Sequence, residues 1–178
     1  LAADLDITLD HLRQLAARLD ERWDLLDPEP VAPPEPTVDF RPLIGALDAI
    51  TVHGRPDALP DDKLQMRLDR VSGLRRDLAG TTDDFDRLEM LRDKSRRSTV
   101  TFGNAGSASV WGETKDEIMD AKRAAVLTWD ATLVDVADQV IRRLLHELVI
   151  GTSAAATGRR HAGTLTFHDL LVNARNLL

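Results

Sequence analysis

The chain has 178 residues, enough to bury one sizeable apolar core, and its 43% hydrophobic and 30% charged residues are typical of a globular protein. The absence of cysteine excludes disulfides, thiolate nucleophiles and thiolate metal sites. The net charge of −7 argues against a dedicated nucleic-acid binder, which is normally basic. The charge is uneven, however: residues 1–62 are strongly acidic and residues 63–178 slightly basic, so a basic face on the second part stays open as an alternative.

Helix-forming residues dominate the composition, and we therefore predict an all-α fold. The expected architecture is an irregular bundle of about six helices around one long helix at about 114–150, forming a single helical domain over residues 1–178. No apolar run approaches the roughly 18 residues of a membrane span, and no signal-peptide pattern opens the chain. We accordingly expect a cytoplasmic protein with no membrane partner.

Residues 8–26 carry leucines at helical spacing and predict the first helix, with Trp23 interpreted as a core anchor. Five prolines follow within residues 27–36, a density that neither a helix nor a central strand tolerates. Residues 27–37 are therefore predicted to be an extended, polyproline-like linker. A stiff acidic spacer is favoured over a ligand for an SH3-type domain.

Three shorter elements are predicted between the linker and residue 93. Residues 41–50 form a helix with a proline in its first turn, where the missing amide costs nothing. A third helix is expected to begin at Asp61 as its cap and to end at Gly80, and Thr81 or Thr82 is expected to cap a fourth.

Residues 94–113 are predicted to be a flexible basic loop, since they combine clustered positive charge with small polar residues. Cations interleaved with aromatic rings suit a loop that lies against a phosphate backbone. The alternative is an ordinary loop whose two rings pack into the core. The residues concerned are Lys94, Arg96 and Arg97 for phosphate contacts and Phe102 and Trp111 for base stacking.

The long helix is predicted from a capping box at Thr114 and Glu117 and from a broad apolar stripe that follows. We expect it to continue, frayed or kinked, toward residues 159–161 and to stop at Gly163. Thr166 then caps a last helix over residues 167–178. Its buried side is expected to comprise Leu170, Leu171, Ala174, Leu177 and Leu178.

Catalytic patterns are not found in the sequence. His146 and Glu147 begin like a zinc-protease motif, but Ile150 stands where the second histidine must be. There is no phosphate-binding P-loop, no nucleophile elbow and no clustered set of histidines. We therefore predict no catalytic residue, no metal site and no bound cofactor within this chain.

The segment 163–178 resembles an element of UvrD/Rep-type superfamily 1 DNA helicases that precedes their Asp-Glu ATPase motif. It departs from the family pattern at His168, where members often carry Asp. Further segments at residues 21–26, 61–64 and 111–115 are similar to the same region, most closely in RecB- and AddA-related members. The matching positions are Leu165, Thr166, Phe167, Asp169, Leu170, Leu171, Ala174, Leu177 and Leu178.

The resemblance implies a 1B-type helical subdomain, a fragment inserted into the first motor domain of an ATP-dependent DNA repair helicase. A first residue of Leu1 rather than Met agrees with this expectation. ATP and Mg would be bound by the parent and not by this fragment, which would have no catalysis of its own. The helix at 164–178 would return the chain to the motor domain.

The expected partners are DNA, contacted through the parent helicase, and the motor domain of the same chain. A homodimer through exposed apolar faces is a further expectation. The alternative function is a stand-alone helical scaffold or protein-interaction module. A second set of cations on the long helix is expected to contribute to DNA contact: Arg142, Arg143, Arg159 and Arg160.

Overall fold

The computed structural model describes residues 8–27, 29–55 and 61–177. Within these ranges the chain is helical and contains no strand, which confirms the all-α prediction. None of the described helices combines the length and the apolar content that a membrane crossing requires. The helices are α1 (Leu9–Asp20), α2 (Arg41–Thr51), α3 (Lys63–Gly80), α4 (Asp84–Arg92), α5 (Lys94–Val100), α6 (Ala108–Trp111), α7 (Thr114–Ala162) and α8 (Phe167–Asn176), with a 3₁₀ helix at Trp23–Leu25.

The chain divides into two compact units, whereas the sequence analysis predicts one domain. Unit 1 comprises Leu1–Pro36 and Ala137–Leu178, and unit 2 comprises Thr37–Val136. Helix α7 contributes its first part to unit 2 and its second part to unit 1.

The core of unit 2 is formed by α2 and α3, which pack against each other through apolar stripes at helical spacing. Trp129 of α7 is 1% exposed, and its indole Nε1 donates to the carbonyl of Leu91, 3.2 Å away. This hydrogen bond offsets the cost of burying the indole N–H group. The fully buried side chains of α2 and α3 include Leu43, Leu47, Ile50, Leu64, Leu68, Val71 and Leu78.

Carboxylates cap the helices of unit 2, and two predicted caps are wrong. Asp62, not Asp61, caps α3: its Oδ1 accepts from the amides of Leu64 at 2.8 Å and Gln65 at 3.0 Å. Asp83, rather than Thr81 or Thr82, caps α4. In both cases the aspartate immediately before the helix, Asp62 or Asp83, reaches the free amides of the first turn. The predicted end of α3 at Gly80 is confirmed.

The prediction of a loop over residues 94–113 is wrong for most of that segment. Residues 94–100 form α5, capped by Asp93, and residues 108–111 form the one-turn helix α6, capped by Ser107. Only residues 101–107 and 112–113 lie outside helices. We call residues 101–107 the glycine loop.

In unit 1 the first helix is shorter than predicted. Helix α1 ends at Asp20, and the chain continues through a 3₁₀ helix at Trp23–Leu25. Trp23 is only half-buried, so it is not the enclosed core anchor that the sequence analysis predicts. Of the predicted linker, the described residues 29–37 form neither helix nor strand, as expected, and Pro28 lies outside the described residues.

Helix α7 spans 49 residues, or about 70 Å at 1.5 Å per residue, and includes the continuation beyond residue 150 that the sequence predicts. It passes through Gly151 and Gly158 without interruption, and the neighbouring Thr152 and Ala156 are buried. It ends at Gly163, as predicted, with φ at +69°. This left-handed conformation, which glycine adopts without steric cost, terminates the helix.

Helix α8 begins as predicted, with Thr166 as its cap, and Asp169 completes a capping box. The predicted buried side is wrong for its described residues, and Leu178 lies outside them. Asp169 and Val172 point inward instead, and the leucines on the other side are exposed to solvent. Among the described residues, the large apolar side chains of this exposed α8 face are Phe167, Leu170, Leu171 and Leu177.

Candidate nucleic-acid interface

A groove on unit 2 is the strongest candidate for binding an anionic chain. It has a volume of about 570 Å³ and lies between one face of α3 and residues 103–105 of the glycine loop. We call it the basic groove. Its α3 side chains occupy positions i, i+3, i+4 and i+7 and therefore share one face of the helix. The lining residues are Asp61, Lys63, Met66, Arg67, Arg70, Gly103, Asn104 and Ala105.

Two buried rings and one glycine hold the glycine loop beside α3. Phe102, near the start of the loop, and Trp111, which follows it, are each 3% exposed and anchor the chain at these two points. Gly106 has φ at +82°, and a Cβ placed on it would lie 2.9 Å from the Cβ of Leu64. Real Cβ atoms do not approach neighbours so closely, so only glycine allows the loop to contact α3 here.

Lysines of α7 fix the loop from its other side. The Nζ of Lys115 donates to the carbonyl of Gly106 at 2.8 Å, and the Nζ of Lys122 donates to the carbonyl of Phe102 at 3.1 Å. A second groove on this side also contains Arg123, which pairs with Asp120. Its cations are therefore already engaged within the chain.

Unlike the cations of the second groove, those of the basic groove are not engaged in ion pairs with other described residues. Lys63 and Arg70 are exposed and Arg67 is half-buried, and none of the three forms an ion pair with another described residue. Asp61 is an acidic residue in the same lining and offsets part of the charge. Three cations and one acid leave a net positive charge on this concave surface, which concentrates positive potential where a phosphate could enter.

The predicted loop cations are placed elsewhere, on α5. The Nη1 of Arg96 lies 2.9 Å from a carboxylate oxygen of Asp77, and the Nη2 of Arg97 lies 2.8 Å from both oxygens of Asp130. These pairs tie α5 to α3 and α7. Lys94 is exposed, but it does not line the basic groove.

The predicted stacking role of the two rings is wrong, and the alternative of core packing is confirmed. Phe102 and Trp111 are buried, and each carries a cation over its ring: Lys122 at 5.4 Å and Arg55 at 5.8 Å. The indole Nε1 of Trp111 also donates to Asp62 at 3.0 Å. Neither ring presents a free face to a base.

The second predicted set of cations lies in unit 1, and its first two members form local ion pairs along α7. Arg142 pairs with Asp138 at 2.7 Å, and Arg143 pairs with Glu147 at 2.9 Å. Pairs of this kind, spaced by four residues on a helix, are exposed and contribute little to stability.

Arg159 and Arg160 are engaged with other elements of unit 1. The guanidinium of Arg160 lies over the ring of Trp23 at 4.0 Å. Arg159 pairs with Asp20 at 2.9 Å and with Asp169 at 2.9 Å. Their positions identify them as links between helices, and neither lines the basic groove.

Asp169 is the most completely buried charged residue of unit 1, with 0% exposure. It accepts hydrogen bonds from the Nε of Arg159 at 2.9 Å, the indole of Trp23 at 2.8 Å and the amide of Thr166 at 2.9 Å. The hydrogen bonds from Arg159, followed by those from Thr166, hold the pKa of Asp169 well below its usual range. The carboxylate is therefore ionised near neutral pH, and it joins α8 to α7 and to the 3₁₀ helix.

Asp24 extends this network. Its oxygens lie 2.9 Å from the Nε2 of His168 and 2.9 Å from Arg175. Burial raises the pKa of Asp24, but the hydrogen bonds from His168 and Arg175 outweigh that effect and lower it overall. We call Asp20, Trp23, Asp24, Arg159, His168, Asp169 and Arg175 the unit 1 network.

A related pair occurs in unit 2, where Trp111 donates to Asp62. The backbone amide of Gln65, together with this indole, lowers the pKa of Asp62. Each unit thus has a tryptophan bonded to an aspartate that also takes part in a helix cap. These carboxylates have a structural role and are not free to coordinate a ligand.

No group of three or more histidine or acidic side chains suited to a metal occurs in the part of the chain that the structure describes. The basic groove is not among the predicted sites, although the spacing of Lys63, Arg67 and Arg70 in the sequence places them on one helix face. Comparisons of the chain with protein-family models, with curated proteins and with solved structures find no match.

Proposed function

We propose that this chain is an accessory DNA-contacting subdomain of an ATP-dependent, UvrD/Rep-type helicase, and that the basic groove is its contact surface. The observation that carries the DNA contact is the set of three cations that share one face of α3. Lys63, Arg67 and Arg70 line a groove beside a polar loop and form no ion pair with described residues. Neutralising phosphates with such cations is the main source of sequence-independent affinity for nucleic acids.

The helicase part of the proposal rests on the resemblance of four segments of the sequence, and these segments contact one another in pairs. Trp23 of one segment donates to Asp169 of another, within unit 1. Trp111 of a third donates to Asp62 of a fourth, within unit 2. In this proposal ATP hydrolysis, with its Mg, belongs to the parent chain.

The exposed α8 face also fits the proposal. Phe167, Leu170 and Leu171 are each more than half exposed, which is unusual for adjacent large apolar residues on one short helix. In a parent helicase this face would be covered by the motor domain to which the helix returns.

The DNA contact is tested by replacing the groove cations. We expect the triple variant Lys63→Ala, Arg67→Ala, Arg70→Ala to bind a labelled single strand at least tenfold more weakly at low salt. The slope of log affinity against log salt should flatten by about two units, because each lost phosphate contact removes about 0.7. Fluorescence anisotropy over a series of salt concentrations measures both quantities.

The control is a triple variant with the same loss of charge, Arg13→Ala, Arg41→Ala, Arg76→Ala. Arg13 and Arg41 pair with neighbouring acids, and Arg76 lies on the far side of α3 from the groove. We expect this variant to retain most of the salt slope. Equal losses in the two triple variants would mean that net charge alone drives binding, and the groove would be rejected.

The exposed α8 face favours a second candidate function, a protein-interaction module whose partner is a second copy of this chain. We expect self-association of the 178-residue chain, measured by sedimentation velocity, to be abolished by Leu170→Gln with Leu171→Gln. Leu127→Gln with Val134→Gln, at exposed positions of α7, is the matched control. A wild-type chain that stays monomeric at high concentration would contradict this second function.

A further inference from the structure

The basic groove offers charge without rings, which limits what it can recognise on a nucleic acid. The residues that the structure describes in its lining include no aromatic side chain. The rings nearest in sequence, Phe102 and Trp111, are buried and already carry Lys122 and Arg55 over their faces. Binding of single strands through bases normally uses exposed aromatic platforms. The groove therefore lacks the group on which a base would stack.

The spacing of the cations suits contact with the phosphate backbone of the strand. Lys63, Arg67 and Arg70 lie on one face of α3 and span about 10 Å along its axis at 1.5 Å per residue. Three cations at this spacing can contact neighbouring phosphates of one strand. The guanidinium groups can also bind phosphate oxygens in a bidentate manner.

The opposite wall of the groove also has few groups that could distinguish one base from another. It consists of Gly103, Asn104 and Ala105, whose only side-chain polar group is the amide of Asn104. The backbone there is held by the hydrogen bonds from Lys115 and Lys122 to the carbonyls of Gly106 and Phe102. One wall therefore supplies charge and the other a fixed backbone surface.

We infer that the basic groove recognises the phosphodiester backbone alone, independently of the bases. This inference rests on the proposed DNA contact and specifies its ligand class. The groove binds neighbouring phosphates along α3, and stacking and base-edge hydrogen bonds make no contribution to its affinity.

The test compares an ordinary oligodeoxythymidine with an abasic strand of the same length and the same number of phosphates. Both are used as competitors against one labelled strand, with the full 178-residue chain. We expect the two dissociation constants to agree within twofold and their salt slopes to be parallel. The triple variant at Lys63, Arg67 and Arg70 should weaken both strands by the same factor.

The outcomes separate this inference from the proposed function. Stacking of a single base would favour the ordinary strand by roughly fivefold or more, and such a preference, lost in the triple variant, would overturn the inference while leaving DNA contact intact. If neither strand competes at low salt, the proposed DNA contact itself fails. If the abasic strand binds equally but the triple variant is unaffected, the assignment to the basic groove is overturned.

Discussion

Replacing Asp169 with alanine is expected to lower the free energy of unfolding by about 3–5 kcal/mol, the usual range for breaking a buried ion pair from one side. The carboxylate is fully buried and accepts hydrogen bonds from Arg159, Trp23 and Thr166. Alanine removes the carboxylate that accepts all of these hydrogen bonds. It leaves the Trp23 indole and part of the Arg159 guanidinium without partners in an enclosed site.

Urea unfolding followed by circular dichroism measures this loss. Asp169→Asn is the informative companion, because its amide oxygen still accepts hydrogen bonds but carries no charge to pair with Arg159. We expect it to lose clearly less stability than Asp169→Ala. Asp138→Ala, which breaks only the exposed pair with Arg142, should change stability by less than about 0.5 kcal/mol. A loss that small for Asp169→Ala would contradict the unit 1 network as we describe it.

The pH dependence provides an independent check. The pKa of Asp169 is lowered in the folded state, so its stabilisation is complete above the unfolded pKa of about 3.9 and is lost as the pH falls toward the folded pKa. The stability difference between the wild type and Asp169→Asn should therefore be constant near neutrality and shrink below about pH 4. A constant difference down to about pH 2 would show that the carboxylate charge is not responsible.

Gly106→Ala is expected to lower the free energy of unfolding by about 2–4 kcal/mol, from two separate causes. A residue other than glycine is strained at φ of +82°. The new Cβ would also lie 2.9 Å from the Cβ and Cδ2 of Leu64 and 3.0 Å from Cδ1 of Trp111. Both neighbours are buried in the core of unit 2, so neither can move away without disturbing further packing.

Two other glycines separate these causes. Gly112 also has a positive φ, of +53°, but a Cβ there would meet nothing within 4 Å. Gly103 has neither feature and should accept alanine with a change below about 0.5 kcal/mol. We expect Gly106→Ala to cost about 1–3 kcal/mol more than Gly112→Ala, which is the usual penalty for overpacking. Equal losses at the two positions would mean that the loop can move away from α3.

Helices with an apolar stripe and a recognisable terminus could be predicted from the sequence. Helix α2, with its early proline, and the start of α8 at Thr166 follow from local chemistry alone. The end of α7 at Gly163 does so as well, since a left-handed glycine stops a helix wherever the fold places it.

Other features depend on residues far away in the sequence. Helix α5 has little apolar periodicity, and it is held by Arg97 pairing with Asp130, 33 positions later. The buried side of α8 was misjudged because Asp169, a charged residue, points inward toward Arg159. Leucines are normally buried in preference to a carboxylate, so the sequence favours the leucine side of α8. Only the tertiary partners of Asp169 explain why the carboxylate is buried instead.

The candidate site shows the same dependence. A cation can be recognised in a sequence, but whether it is already neutralised depends on which carboxylates the fold brings to it. Arg96 and Arg97 are paired with Asp77 and Asp130, whereas Lys63 and Arg67 are left with no such partner among the described residues. The spacing along α3 could be predicted, and the absence of partners could not.

The placement of the tryptophans gives the chain built-in optical probes. Trp23 belongs to unit 1, Trp111 and Trp129 belong to unit 2, and the sequence contains no tyrosine to obscure their emission. A chain with Trp23→Phe would emit only from unit 2, and one with both unit 2 tryptophans replaced would emit only from unit 1. Fluorescence from these two single-unit reporters would therefore reveal whether the halves melt together or one after the other, without any attached dye.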